Sequence, residues 1–217
     1  MSDKIIEKIE QIDCTRTFVL KIKLSDKYLH TLKTYAAKTL KEPHLREDHR
    51  DQLAGHIKKG RQLKLPPDAP ELHELAAILS SMSTQYYNTY ISYVKGKDLS
   101  ESDPSALVGV HVETLWLNSY FAGDYNPPHK HGTISPLGLS SFLYINTPNC
   151  IKNKLPSAGT NFTGNDLVDG MTMLYWGYNF GSNDVTDGLE YPQSSWIYPE
   201  EGVLYLFPRW MDHLVAP

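Results

Sequence analysis

Apolar and polar residues alternate from Cys14 to Leu24 (CTRTFVLKIKL): Phe18, Leu20, Ile22 and Leu24 take one parity, Val19, Lys21 and Lys23 the other. Period two marks a half-buried strand, because successive side chains on a pleated backbone face opposite sides. The period then changes. Between Lys27 and Leu40, Leu29, Leu32, Tyr35, Ala36 and Leu40 recur at helical spacing. Ser25-Asp26 just ahead offers short side-chain oxygens to the unpaired N–H groups of a first turn.

From Lys41 to Leu65 polar residues dominate, densest at Arg46-Glu47-Asp48-His49-Arg50-Asp51 and Lys58-Lys59-Gly60-Arg61. This reads as a surface connection, with His44, His49 and His56 on its solvated face. Pro66-Pro67-Asp68-Ala69-Pro70 opens a longer helix, with Asp68 as its cap and Pro70 in a first turn where a missing N–H costs nothing. Leu72, Leu75, Ile78, Leu79, Met82, Tyr86, Tyr90 and Val94 form its stripe, which runs to Tyr93 or so. The tyrosines read as a packing face against a sheet in preference to a ligand groove.

Beyond Ser105 the pattern becomes short strands and turns. Val110 to Phe121, Leu137 to Asn146, Met171 to Tyr178, Trp196 to Tyr198 and Val203 to Phe207 are strand candidates, with turns at Gly123-Asp124, Thr147-Pro148-Asn149 and Pro199-Glu200-Glu201-Gly202. Asn149 to Ser195 is too long for an ordinary loop. It is expected to mix short strands with a substrate-facing lid, where Tyr175, Trp176 and Tyr178 are placed to stack on a ligand. Helices first and strands afterwards predict an α+β fold in one domain over residues 1–217, with 1–105 as support and 106–217 as a closed or sandwiched β structure.

The totals narrow the function classes. A net charge of -4 and a pI near 6.1 give no global basic field, so nucleic-acid binding is not indicated. Cys14 and Cys150 stand far apart without metal-ligand spacing and read as free thiols in a reducing compartment. The opening MSDKIIEKIEQ is charged throughout, and no apolar run approaches the roughly 20 residues of a spanning helix. The expectation is a cytoplasmic protein with no membrane partner.

The chemistry-bearing pattern is Asn126-Pro127-Pro128-His129-Lys130-His131, followed far downstream by His213 in Leu206-Phe207-Pro208-Arg209-Trp210-Met211-Asp212-His213. In an extended strand His129 and His131 point the same way, and another strand is expected to bring His213 from the opposite wall. Three imidazoles on one side of an ion leave positions open, which suits catalysis more than structure. The bland alternative, polar residues beside a turn, would hold for one isolated histidine.

Order and spacing in this half resemble the iron(II)/2-oxoglutarate-dependent oxygenases, and among them the oxygenases common in bacteriophages and marine bacteria. The matching stretches are Trp116-Leu117-Asn118, then Gly123-Asp124-Tyr125-Asn126-Pro127-Pro128-His129-Lys130-His131, then Ser140-Ser141-Phe142-Leu143-Tyr144, and finally Pro199 through Pro208 and on to His213. The resemblance implies a double-stranded β-helix, or jelly roll, with Fe(II) on His129, His131 and His213 at its mouth. It implies 2-oxoglutarate as co-substrate, bound among Asn118, Tyr120, Ser140 and Tyr144, and hydroxylation of a small-molecule or protein substrate.

Two departures stand out. The wider superfamily uses two histidines and one carboxylate, whereas the middle position here is His131, with Asp124 and Asp212 as the neighbouring carboxylates. The superfamily also places an arginine a short way past the distal histidine to clamp the co-substrate. Here the sequence given runs only to Pro217, so the clamp is expected in residues that follow or in a different group. The alternatives are a three-histidine jelly-roll dioxygenase that uses no oxo-acid, and a metal-binding barrel without catalysis.

Overall fold

The computed structural model describes residues 5–14, 17–52, 56–95, 109–131, 138–152, 168–176 and 193–217. Among these residues ten strands run in order: β1 (Ile6–Cys14), β2 (Thr17–Leu24), β3 (Arg61–Leu65), β4 (Leu115–Ser119), β5 (Asn126–His129), β6 (Leu139–Leu143), β7 (Thr172–Trp176), β8 (Gln193–Ile197), β9 (Val203–Pro208) and β10 (Asp212–Val215). Helices α1 (Asp26–Lys41) and α2 (His73–Lys95) follow β2 and β3, and a short α3 (Asn149–Lys152) follows β6. The strands form two four-stranded sheets, β1-β2-β9-β6 and β5-β10-β7-β8, and a two-stranded sheet, β3-β4. Among the described residues every pairing is antiparallel and the strands do not close into a barrel. The fold is mixed α and β, as the change of period predicts.

The alternation in β2 sorts its residues into two cores. Phe18, Leu20, Ile22 and Leu24 join Leu204 and Leu206 of β9 under α1 and α2. Val19 instead joins Val203, Tyr205 and Phe207 of β9, and Leu174, Trp176 and Ile197 of the second sheet. The first sheet is thus a middle layer, with helices on one face and the second sheet on the other. The N-terminal strand is more than support, because β2 lies directly beside β9 in register Leu20↔Leu206 and Ile22↔Leu204.

α1 forms as expected, with Ser25 Oγ accepting from Tyr28 N at 3.4 Å. Its inner face ends on Thr39, while Leu40 is exposed. The long helix opens with a 3-10 turn at Pro70–Leu72, whose cap is Ala69 without a side-chain bond; Asp68 does not cap it. The tyrosine stripe packs as expected. Tyr86 stacks on Phe18 with ring centroids 4.2 Å apart and donates to Phe18 O at 2.7 Å.

Several boundaries and one connection differ from the sequence expectation. The alternating strand begins at Thr17, and Cys14 instead ends β1, an edge strand in the stretch read only as charged. Its Ile6, Ile9 and Ile12 do not follow the period of two that marks a strand, and the pairing slips between Ile6 and Lys8. Cys14 is buried and Cys150 exposed, both as free thiols. Val110 to Phe121 yields only β4, Leu137 to Asn146 only β6, and Met171 to Tyr178 only β7; Tyr178 and most of the expected lid lie outside the described residues. Trp176 is a core residue and not a stacking surface.

The polar connection from Lys41 to Leu65 holds β3, whose Gln62, Leu63 and Leu65 are buried against β4. His49 is not on the solvated face. Its ring meets Trp116 edge-on at 4.6 Å and its Nε2 lies 2.9 Å from Glu47. His44 and His56 are exposed, as expected.

Asp124 ties this connection to the rest. It is 1% exposed, and its two oxygens accept four backbone N–H groups: Lys58 at 2.7 Å, Lys59 at 3.1 Å, Gly60 at 2.7 Å and Phe121 at 3.0 Å. Gly60 is required there, since a Cβ would stand 1.8 Å from Ser119 O. Burial alone would raise the Asp124 carboxyl, but the four N–H donors outweigh it and hold its pKa lowered to about 2. Because the unfolded state takes up this proton first, the stabilisation is present above pH 4 or so and is lost as pH falls towards 2. Asp124→Ala orphans the donors and is expected to cost about 3 kcal/mol at pH 7, read as a lower urea midpoint. The gap from wild type is expected to close as both are titrated to pH 2.

Candidate metal centre

β10 is a central strand with β5 on one side and β7 on the other. His213 stands directly opposite His129 across the β10–β5 pair and opposite Leu174 across the β10–β7 pair. Direct antiparallel neighbours have Cβ atoms about 5 Å apart, so the pairing itself brings the two imidazoles together. His213 therefore comes from the adjacent strand of the same sheet and not from an opposite wall. His131 lies two residues past His129, beyond the end of β5. It is held by its own backbone: its N–H donates to Arg209 O at 3.1 Å, and Arg209 Nε donates to its carbonyl at 2.9 Å.

The three side chains meet as the H-x-H and distal histidine predict. One ring nitrogen from each of His129, His131 and His213 lies within 4.8 Å of the others. Ring centroids are 4.2 Å apart for His129 and His213, 4.9 Å for His131 and His213, and 5.3 Å for His129 and His131. Among the described residues no carboxylate joins them. Asp124 has both oxygens committed to backbone donors, and Asp212 precedes His213 on an alternating strand and so faces away.

Outer partners fix which nitrogen each ring presents. His129 Nδ1 lies 2.8 Å from Pro127 O and His213 Nδ1 lies 3.1 Å from Met211 O. A carbonyl only accepts, so Nδ1 carries the hydrogen in both rings and Nε2 keeps a bare lone pair, the form that binds a metal. His131 Nδ1 lies 3.2 Å from Ser140 Oγ on β6, a buried hydroxyl from the first sheet. Ser140, expected at the co-substrate, is thus the group that braces His131.

Burial sets the charge state. His213 is 7% exposed and packs edge-on to Phe207 at 5.2 Å. Burial first, then the neighbouring His129, lowers its pKa to about 3, against a smaller opposing effect of the Met211 carbonyl. Burial likewise lowers His131, helped by His129 and by the Arg209 guanidinium. Both rings are therefore neutral at pH 7, as ligation requires.

The other expected site residues are more scattered. Tyr120 is half-buried beside Asn126, and burial, partly offset by that amide, pushes its phenol up to about 12. Tyr144 packs against the second core, where its hydroxyl donates to Thr172 Oγ1 at 2.7 Å and accepts from Thr172 N at 3.1 Å. Asn118 is exposed on β4, opposite Gln62. Asn126, unchosen from sequence, also stands beside the triad: its Nδ2 lies 3.3 Å from His129 Nε2. Its own strand carries no signal for it, because the slip that turns it depends on the residue of β10 that lies opposite.

Comparison of the chain with protein-family models, with curated proteins and with solved structures finds no match. Among the described residues no helix is long and apolar enough to cross a membrane.

Outer partners of metal-binding histidines typically contribute 10–100-fold in affinity. Ser140→Ala is expected to weaken Zn(II) binding about tenfold, measured by competition with a chelator. For the metal-free protein, the low pKa of His213 means that the unfolded state protonates first. Its melting temperature is expected to fall as pH drops from 6.5 or so towards 3, and His213→Gln is expected to flatten that decline.

Proposed function

We propose that the chain is an iron(II)-dependent oxygenase of jelly-roll type that takes 2-oxoglutarate as co-substrate and hydroxylates a C–H bond of a small-molecule or protein substrate. The observation that carries this reading is the convergence of His129, His131 and His213, with the outer nitrogen of each ring already engaged. Three neutral imidazoles suit a first-row divalent ion and leave coordination positions for ligands from solution. Such an ion with its oxo-acid supplies the oxygen chemistry: one oxygen atom enters the substrate, the other enters succinate, and carbon dioxide leaves.

The chain's own share is orientation and exclusion of water. Pro127 and Met211 carbonyls and the Ser140 hydroxyl set the rings, Phe207 covers one side of His213, and Met211 is fully buried beneath it. The jelly-roll reading is supported by the path of the chain between the two four-stranded sheets. β5 lies in the second, β6 in the first, β7 and β8 in the second, β9 in the first and β10 in the second.

A second reading, a three-histidine dioxygenase that uses oxygen without an oxo-acid, is favoured by the all-neutral donor set. The two separate cleanly. Anaerobic Fe(II) protein given 2-oxoglutarate is expected to develop a weak visible charge-transfer band, and admission of oxygen to release succinate. Stoichiometric Fe(II) binding without either signal favours the second reading or a non-catalytic site. His213→Ala is expected to lose iron under both; retention of one iron per chain would remove His213 from the centre.

A further inference from the structure

Asn126 stands within reach of the triad. Its carboxamide Nδ2 is 3.3 Å from His129 Nε2, the atom that the Pro127 carbonyl leaves as a bare lone pair. Residues three apart on a regular strand face opposite sides. Here the register slips: His213 pairs with His129, but Val215, two residues on, pairs with Asn126. His213 and Val215 share a face of β10, so the extra residue in β5 puts Asn126 on the face of His129. The side chain is 7% exposed.

A second observation points the same way. Tyr120 Oη, beside Asn126, is shut from water with no hydrogen-bond partner of good geometry. With the amide NH2 turned towards it, the phenol has a donor to accept from but nothing to which its own hydrogen can go. A half turn of the carboxamide exchanges the ends. Oδ1 then faces Tyr120 and gives that O–H an acceptor. It also faces the lone pair of His129 Nε2, which is repulsive unless a cation lies between them. Two donor atoms on one ion, with bonds near 2.1 Å and angles of roughly 90–110°, stand about 3.0–3.5 Å apart. The observed 3.3 Å falls in that range.

We propose that Asn126 Oδ1 is a fourth protein ligand of the ion held by the three histidines, and that Tyr120 is the positioning residue that turns the amide and holds its oxygen towards the metal. This rests on reading the histidines as a metal centre. Without the ion the NH2 end caps His129; with it, one rotation serves both the metal and the buried phenol. All four donors are neutral, so the ion keeps its full charge, and the positions left to it favour anionic ligands.

Cobalt(II) is the probe, because its visible d–d bands report coordination and its affinity is read by chelator competition. Asn126→Ala is expected to bind Co(II) about tenfold more weakly with shifted bands, and Asn126→Asp, which supplies a carboxylate in the same place, about tenfold more tightly. Tyr120→Phe is expected to lose a few-fold in affinity while keeping the wild-type bands. Wild-type affinity and bands in Asn126→Ala, with Co(II) lost in His213→Ala, would overturn the role of Asn126 and leave the triad standing. Should Asn126→Ala fail to fold, an Asn126→Asp affinity no higher than wild type overturns it instead. Wild-type protein that takes up no Co(II), or a His213→Ala variant that binds as well as wild type, overturns the metal centre and Asn126 with it.

Discussion

Burial of β9 on both faces is the constraint on which the other elements depend. Six consecutive residues, Val203 to Pro208, are shut from solvent. Leu204 and Leu206 fill the core beneath the helices, while Val203, Tyr205 and Phe207 fill the core between the two large sheets. A strand so placed has no freedom of register, since a slip of one residue would exchange its two faces. Gly202, with φ +76, turns the chain into it and accepts from Leu24 N at 2.8 Å. The same strand runs directly into the turn at Arg209 and Trp210 and then into β10, so the register fixed by both cores is carried forward to His213.

The candidate centre sits where that register meets a strand of a different kind. β5 contains two prolines and lies at a sheet edge, the place where a strand tolerates residues without an N–H. Its slip against β10 aims Asn126 and His129 to one side. The polar residues before it fix where it starts: His56 and Tyr125 exchange backbone hydrogen bonds at 2.9 and 3.3 Å, and Asp124 gathers the next loop with its four acceptor bonds. Asp124 thus serves as an internal anion for backbone dipoles. A carboxylate so saturated has no lone pair left in good geometry for an ion.

Among the described residues, what touches the triad is neutral or positive. His131 and His213 are held uncharged by burial, and the Arg209 guanidinium is tied to the backbone of His131. One acidic group elsewhere, Glu201, is paired away from the site. Glu201 takes Lys33 at 2.6 Å and Lys152 at 2.7 Å, and although burial opposes it, those two ammonium groups and Thr147 N hold its carboxyl lowered to about 2.

The sequence by itself determined the parts governed by a repeating period. The alternation of Phe18, Leu20, Ile22 and Leu24, the stripe from Leu72 to Tyr86 and the apolar run into Phe207 each became the predicted element, because burying one face of a regular element needs residues at that element's own spacing. The spacing of His129 and His131 and the distance to His213 also singled out the three residues that meet. Only the tertiary structure decided which atoms surround them. β1 and β3 are placed by their pairing with β2 and β4, Ser140 reaches His131 from another sheet, and Asp124 collects donors from more than sixty positions away. The slip that turns Asn126 towards His129 depends on which residue of β10 lies opposite, and a strand's own sequence does not contain the identity of its partner's register.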